Sequence, residues 1–353
     1  MTASWHVHDW LDIADEFTEG ILIGNGASIA IDPGFSYPSL LSYARDNKLI
    51  TERVGKVFEH LKTNDFELVL RIIWHAYHVN QALGIDERET LKAYEDIQHA
   101  LVQAVRDVHV PYDSAKPYLL PIGQFLSHFD TVASLNYDVV VYWAFLLANE
   151  QLGHEFKDCF YQGSFGVIPW REYRNPRTFG KKTTLVFYPH GNLVLATRID
   201  DTEFKVHRDD EGDHKLLDTI IKEWMAGRCS PLFVSEGSSL QKRGAIYRSH
   251  YLSTVYNEVI PEIGSKVVIL GWSMRDEDHH IFSAIRKGNP TALAISIHTA
   301  NKTPEEIDQT CQGFIDRLRA VYGRRPYPEI RFFDPATPQC WPSYIPFEQG
   351  HEA

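Results

Sequence analysis

Ser134-Leu135-Asn136-Tyr137-Asp138 follows the short apolar run of Phe129, Val132 and Ala133. It opens directly into Val139-Val140-Val141-Tyr142-Trp143-Ala144-Phe145-Leu146-Leu147-Ala148. This pattern predicts a buried strand, a polar turn and then a buried helix. An amide, a phenol and a carboxylate thus stand at the carboxyl end of a strand, where open α/β sheets bind ligands. Burying three polar groups beside so apolar a helix costs free energy unless each finds a partner. Either they cap the helix or they meet a ligand.

Upstream of that turn, Glu19-Gly20 leads into Ile21-Leu22-Ile23, a first strand stopped by Gly24-Asn25-Gly26-Ala27-Ser28. Beyond Asp32-Pro33-Gly34 the spacing turns helical, with Asn64/Glu67 and Asp86/Glu89 placed as capping pairs. Residues 36–118 carry no strand pattern and read as a helical module inserted after the first strand, a lid or an interaction surface. Downstream, residues 171–182 are basic (Arg171, Arg174, Arg177, Lys181, Lys182), and Thr184–Tyr188 reads as a strand ending in Pro189-His190-Gly191-Asn192. Leu193–Leu195 and Phe204–Val206 suggest a small excursion. The apolar runs Leu232–Val234, Val267–Leu270, Ala292–Ile297 and Ile330–Phe333 then alternate with helical segments. That alternation predicts an α/β fold with a doubly wound parallel, Rossmann-like sheet. The expected division is one domain from residues 1–35 and 119–335, the inserted helical subdomain 36–118, and an irregular tail, 336–353.

Composition narrows the function classes. A net charge of −12 without a long basic tract argues against direct nucleic-acid binding. The longest apolar run, Val139–Ala148, falls well short of the roughly 20 residues needed to span a bilayer. The N-terminal residues have no basic segment leading into an apolar one, so no signal peptide is expected, and the chain reads as cytoplasmic. The four cysteines are scattered without a C-x-x-C pair, which points to neither a disulfide framework nor a zinc site.

The glycines of Gly24–Ser28 let backbone approach a diphosphate, but the dinucleotide fingerprint lacks its third glycine because position 29 is Ile. Among the 17 histidines, His190 differs by ending a strand before a glycine, where a general base is useful. His75 and His78 have no evident third ligand, and His6-x-His8-Asp9 precedes the first expected strand. His279 and His280 sit beside Asp276, Glu277 and Asp278, and adjacent helical residues do not share a face, so a solvated helix N-terminus is expected there. Gly271-Trp272-Ser273-Met274-Arg275-Asp276 is another polar turn after a buried strand. Ser235-Glu236-Gly237-Ser238-Ser239 is a less specific one.

Taken in order, G-x-G-A-S, S-L-N-Y-D, P-H-G and G-W-S-x-x-D resemble the sirtuin family, in particular a bacterial sirtuin-like branch with N-Y-D where deacylases have Q-N-I-D. The resemblance spans residues ~20–300 and is carried by about twenty of them. It implies that Gly24, Asn25, Gly26, Ala27 and Ser28 hold the NAD diphosphate. It makes Asn136 and His190 catalytic, sets Asp138 against the nicotinamide carboxamide, and puts Gly271 and Ser273 at the adenosine side. The two C-x-x-C pairs of the deacylase zinc ribbon are missing. That favours the branch's other activity, NAD hydrolysis to nicotinamide and ADP-ribose without a metal, of the kind that depletes NAD in antiviral defence. The alternatives are a transferase on the same fold (deacylase, ADP-ribosyltransferase or cyclase) and a non-catalytic NAD or ADP-ribose sensor. Regulation by homo-oligomerisation, or by a partner such as a hexameric helicase-like ATPase, is the accompanying expectation.

Overall fold

The computed structural model describes residues 5–36, 39–178, 180–198, 200–207, 212–227, 229–234, 237–323 and 327–342. Its strands in chain order are β1 (Val7–Asp9), β2 (Gly20–Ile23), β3 (Thr131–Ser134), β4 (Glu155–Lys157), β5 (Phe160–Tyr161), β6 (Ser164–Phe165) and β7 (Thr183–Phe187), followed by β8 (Gly191–Arg198), β9 (Glu203–Lys205), β10 (Cys229–Phe233), β11 (Lys266–Leu270), β12 (Ala292–Ser296) and β13 (Glu329–Asp334). The helices are α1 (Trp10–Ile13), α2 (Asn25–Ile29), α3 (Leu40–Asp46), α4 (Glu52–Leu61), α5 (Phe66–Leu83), α6 (Arg88–Val108) and α7 (Tyr112–Leu126), then α8 (Val140–Gln151), α9 (Leu216–Met225), α10 (Ser239–Ile246), α11 (His250–Thr254), α12 (His279–Lys287) and α13 (Pro304–Tyr322).

Eight strands form one sheet in the order β1-β13-β12-β11-β2-β3-β7-β4, and every neighbouring pair is parallel. Its central strands are continuous apolar runs, buried on both faces as a helix-covered parallel sheet requires. This is the Rossmann-like α/β architecture that the alternating pattern predicts. After β1 at the edge, the chain crosses to β2 in the middle and moves outward through β3. After β7 it returns to the other side of β2 with β11, β12 and β13. The order reverses between β2 and β11, and a crevice at such a point is where open α/β sheets take ligands.

Helix α8 is apolar nearly all round, and residues 140–145 are buried. It runs against α7, and the approach is close: a Cβ on Gly123 would stand 2.6 Å from the Ala148 Cβ. Between β2 and β3 the described residues form helices joined by turns, with no strand among them, and α3 and α5 pack on α6. The caps differ from those expected. Asp65, not Asn64, caps α5 by accepting from Leu68 N, and Asp86 binds Arg88 while Glu87 occupies the N-cap of α6.

Several segments depart from the sequence reading. The run containing Leu232 and Phe233 is not a strand of the parallel sheet. It belongs to β10, which pairs antiparallel with β8 in a second sheet of order β10-β8-β9-β6-β5. The expected small excursion is the core of that sheet. Gly191 makes it possible: at φ +76° it turns the chain back after β7, and a Cβ there would lie 2.2 Å from Leu232 O. His8 and Asp9 do not precede the strands but lie in β1, paired with Phe333 and Asp334 of β13. The basic segment 171–182 does not face the crevice. Arg171 pairs with Glu258 and Glu262, and Arg174 donates to Thr131 Oγ1. Ser235, Glu236 and residues 343–353 of the tail lie outside the described residues, and 327–342 end in β13 and irregular chain.

Candidate active site

Four turns converge at the carboxyl edge of the parallel sheet around a cleft of about 990 Å³. They follow β2 (Gly24, Asn25, Gly26), β3 (Asn136, Tyr137, Asp138), β7 (His190) and β11 (Gly271, Trp272, Ser273, Arg275). Ser39, Leu40 and Ser42 at the start of α3 contribute to the opposite wall. The structure thus brings together Asn136, Asp138, His190, Gly24, Asn25, Gly26, Gly271 and Ser273. Ala27 and Ser28 do not line the cleft; both are buried behind it.

Ser28 is the hub of the β3 turn. Its hydroxyl donates to Asp138 Oδ2 at 2.6 Å and accepts from Asn136 Nδ2 at 2.8 Å. Asn136 Nδ2 also donates to Gly24 O at 3.2 Å, so the amide is fixed with its nitrogen towards the β2 turn. The other Asp138 oxygen accepts from Val140 N at the start of α8. His109, buried at the end of α6, holds the next amide: its Nε2 accepts from Val139 N at 3.1 Å, and its Nδ1 lies 2.8 Å from Val110 O. Accepting at Nε2 leaves Nδ1 as the protonated nitrogen of a neutral ring. Burial pushes its pKa down in the same direction, against the pull of Asp138. Helix capping and ligand binding are therefore both open to this turn, because each carboxylate oxygen keeps a further acceptor position.

The β3 and β7 turns are stitched to each other. Leu193 N donates to Tyr137 O at 2.8 Å and Asn192 Nδ2 to Asp138 O at 2.5 Å. Tyr137 stacks on Phe233, with ring centroids 5.2 Å apart, while its hydroxyl is buried without a hydrogen-bond partner. His190 is buried in turn by Val234, whose N donates to His190 O at 2.6 Å.

A second histidine lies against His190. His280 is buried rather than solvated, and its Nε2 lies 2.9 Å from His190 Nε2. Its Nδ1 stands 3.2 Å from Ser239 Oγ, which also accepts from His280 N. Asp278 lies beside the pair, with Oδ1 3.9 Å from His190 Nε2 and 2.8 Å from Lys242 Nζ, and Oδ2 3.3 Å from Trp272 Nε1. Burial drives His190 well below the usual histidine value and His280 to about 4. Burial opposes ionisation of Asp278, yet its carboxyl is held at about 2 by neighbouring His190 and Lys242 and by hydrogen bonds from Lys242 and Trp272. Because His190 stays neutral near pH 7, the lasting counter-charge is the Lys242 ammonium. Sequence reasoning missed His280 because it expected a solvated helix N-terminus from about Asp278. Residues Asp276–Asp278 form a 3-10 turn instead, and α12 starts at His279. The available signal was the spacing of His280 with Ala284 and of Ile281 with Ile285, all buried on one side of α12.

The β2 loop is less free than expected. Gly26 N donates to Gly271 O at 2.8 Å, Ala27 N donates to Gly24 O, and Asn25 Nδ2 donates to Phe35 O. Its glycines serve close packing of two turns: a Cβ on Gly24 would meet Trp272 Cβ at 2.6 Å. Arg275, exposed on the cleft rim in the β11 turn, is a cation to which the sequence reading gave no role.

Fold and cleft define an α/β protein with a polar cleft at the switch point of a parallel sheet. The chain belongs to the family described as "Domain of unknown function (DUF4917)", which matches residues 21–341. No curated protein matches it. Among solved structures it is similar to that of Sir2Tm bound to a propionylated peptide, at 12% identity over 88% of this chain and 98% of that chain, with a TM-score of 0.36.

Proposed function

We propose that this chain hydrolyses NAD at the nicotinamide–ribose bond, releasing nicotinamide and ADP-ribose. The observation that carries the reading is the pairing of Asn136 with His190 on two turns hydrogen-bonded to each other in the switch-point cleft. The order of the four turn motifs supports it. The cleft volume is at the upper end for a small-molecule site, as a dinucleotide needs.

Nicotinamide in NAD is already a cationic leaving group, so its departure needs no acid. What needs stabilising is an oxocarbenium-like ribose. Asn136, its Nδ2 held by Ser28 and Gly24 O, turns its carbonyl into a preorganised dipole for a ribose hydroxyl or the attacking water. His190 accepts the proton, and because Nε2 faces His280 the accepting atom is Nδ1. That role requires Nε2–H of His190 to donate to His280, and Nδ1–H of His280 to donate to Ser239 Oγ. Asp138 keeps acceptor capacity for the carboxamide, and Arg275 with the Gly24–Gly26 turn takes the diphosphate.

Nicotinamide release from NAD by the purified protein tests the reading. Asn136→Ala and His190→Ala should each lose about 10²-fold or more. Full turnover by both variants removes the assignment. Product analysis separates hydrolysis from transfer or cyclisation, and nucleotide binding with no turnover in any setting marks a sensor. We extend the reading to a regulated enzyme that depletes NAD in antiviral defence, gated by self-association or by a hexameric ATPase partner. Turnover measured with and without the neighbouring gene product tests that extension.

A further inference from the structure

The geometry points to a divalent transition-metal site formed by His190 Nε2, His280 Nε2 and an Asp278 oxygen, whose occupation locks the proton on His190 Nδ1. The three donor atoms lie within 4.8 Å of one another. Two imidazoles and one carboxylate form a borderline donor set that suits zinc and its neighbours, and three protein ligands leave a coordination position open. The surroundings have the outer contacts such sites need: Ser239 Oγ sits on the far nitrogen of His280, and Trp272 Nε1 donates to the free oxygen of Asp278. Entry runs through the cleft, which both His190 and Asp278 line.

The two Nε2 atoms now share one proton in a 2.9 Å hydrogen bond. Metal binding at both displaces it. In the arrangement that lets His190 act as a base, its proton sits on Nε2. On metallation that proton moves to Nδ1, both imidazoles stay neutral, and no net proton is released. His190 Nδ1 then becomes a donor towards the cleft and can no longer accept a proton from substrate. Lys242 opposes the metal, because its ammonium already lies 2.8 Å from Asp278 Oδ1. The site is therefore a competition between a built-in cation and an incoming one. Metal binding itself is independent of the proposed NAD hydrolysis; the loss of turnover rests on it.

Titration of the whole protein with Co²⁺ alone, followed by visible absorption, tests the site. One strongly absorbing four-coordinate cobalt, displaced by Zn²⁺, is expected. His280→Ala should remove the band, and Lys242→Ala should tighten binding about tenfold by removing the competing charge. A gain in affinity cannot arise from misfolding. Circular dichroism of His280→Ala checks its fold. Equal cobalt spectra in wild type and folded His280→Ala place the metal elsewhere, for example at His6 and His8, and overturn the proposal. So does unchanged affinity in Lys242→Ala. With the site saturated by Zn²⁺, nicotinamide release should stop in wild type. Release that continues overturns the proton lock, whereas absence of release from metal-free protein counts against the NAD reading and leaves the cobalt result standing.

Discussion

The Ser28 hydroxyl donates to Asp138 Oδ2 at 2.6 Å, joining the turn after β2 to the turn after β3 across 110 positions of sequence. Ser28 Oγ itself accepts from Asn136 Nδ2. Removing it leaves the amide held only by Gly24 O and the buried carboxylate one donor short.

Ser28→Ala should lower stability by about 1–3 kcal/mol, the cost of leaving a buried acceptor under-satisfied. It should also cut the turnover number about tenfold or more through misplacement of Asn136. Thermal unfolding and nicotinamide release measure the two effects. A stable variant with full turnover would show that Asn136 needs no such anchor.

Tyr137→Phe removes a buried hydroxyl that has no partner. Stability should hold or rise, because nothing in the protein loses a hydrogen bond. If the hydroxyl serves the ligand that fills the cleft, KM for NAD rises while the melting temperature does not fall.

Gly271→Ala should cost more than about 1 kcal/mol. The residue has φ +64°, and a Cβ would approach Ala27 N at 2.4 Å. The two turns forming the cleft's floor would separate, and Gly26 N would lose Gly271 O. Chemical denaturation measures this, and an unaltered midpoint would contradict the packing described.

The histidine pair sets a pH dependence with a definite sign. In the unfolded chain both histidines titrate near 6.5, whereas in the fold burial takes His190 well below that and His280 to about 4. Between those values the unfolded chain binds more protons, so stability falls as pH drops through 6.5 towards 4. His280 alone accounts for about 3 kcal/mol at the limit. Asp278, held at about 2 against an ordinary 3.8, contributes stability that is lost as pH falls from 3.8 to about 2. Denaturant midpoints measured from pH 7 down to 4 should fall, and fall less in His280→Gln. Turnover should stay flat from pH 8 to 6, because His190 remains neutral throughout.

Much of the scaffold was legible from the chain. Ile21–Ile23, Val132–Ala133 and Val267–Leu270 are short apolar runs that end in polar turns, and each lies in a buried strand. The polar turns at their ends stand out by contrast. What escaped notice depends on contacts distant in sequence. Phe233 looks like any central strand residue, and only its pairing with Gly191 shows that it belongs to a different sheet. His280 reads as solvated until the 3-10 turn before it redirects the ring. His109 has no motif, because its role is to accept one amide 30 positions away. The commitment of Gly26 N and Ala27 N within the protein was likewise invisible in a glycine-rich string.

The turn that bears His190 is also a joint between the two sheets, with only Tyr188, Pro189 and His190 between β7 of the eight-stranded sheet and β8 of the five-stranded one. Phe233 and Val234 grip that joint from the far side. A tilt of β8–β10 against the parallel sheet would therefore pull on the backbone of His190 through Gly191 and Val234, and on Tyr137 and Asp138 through Leu193 and Asn192.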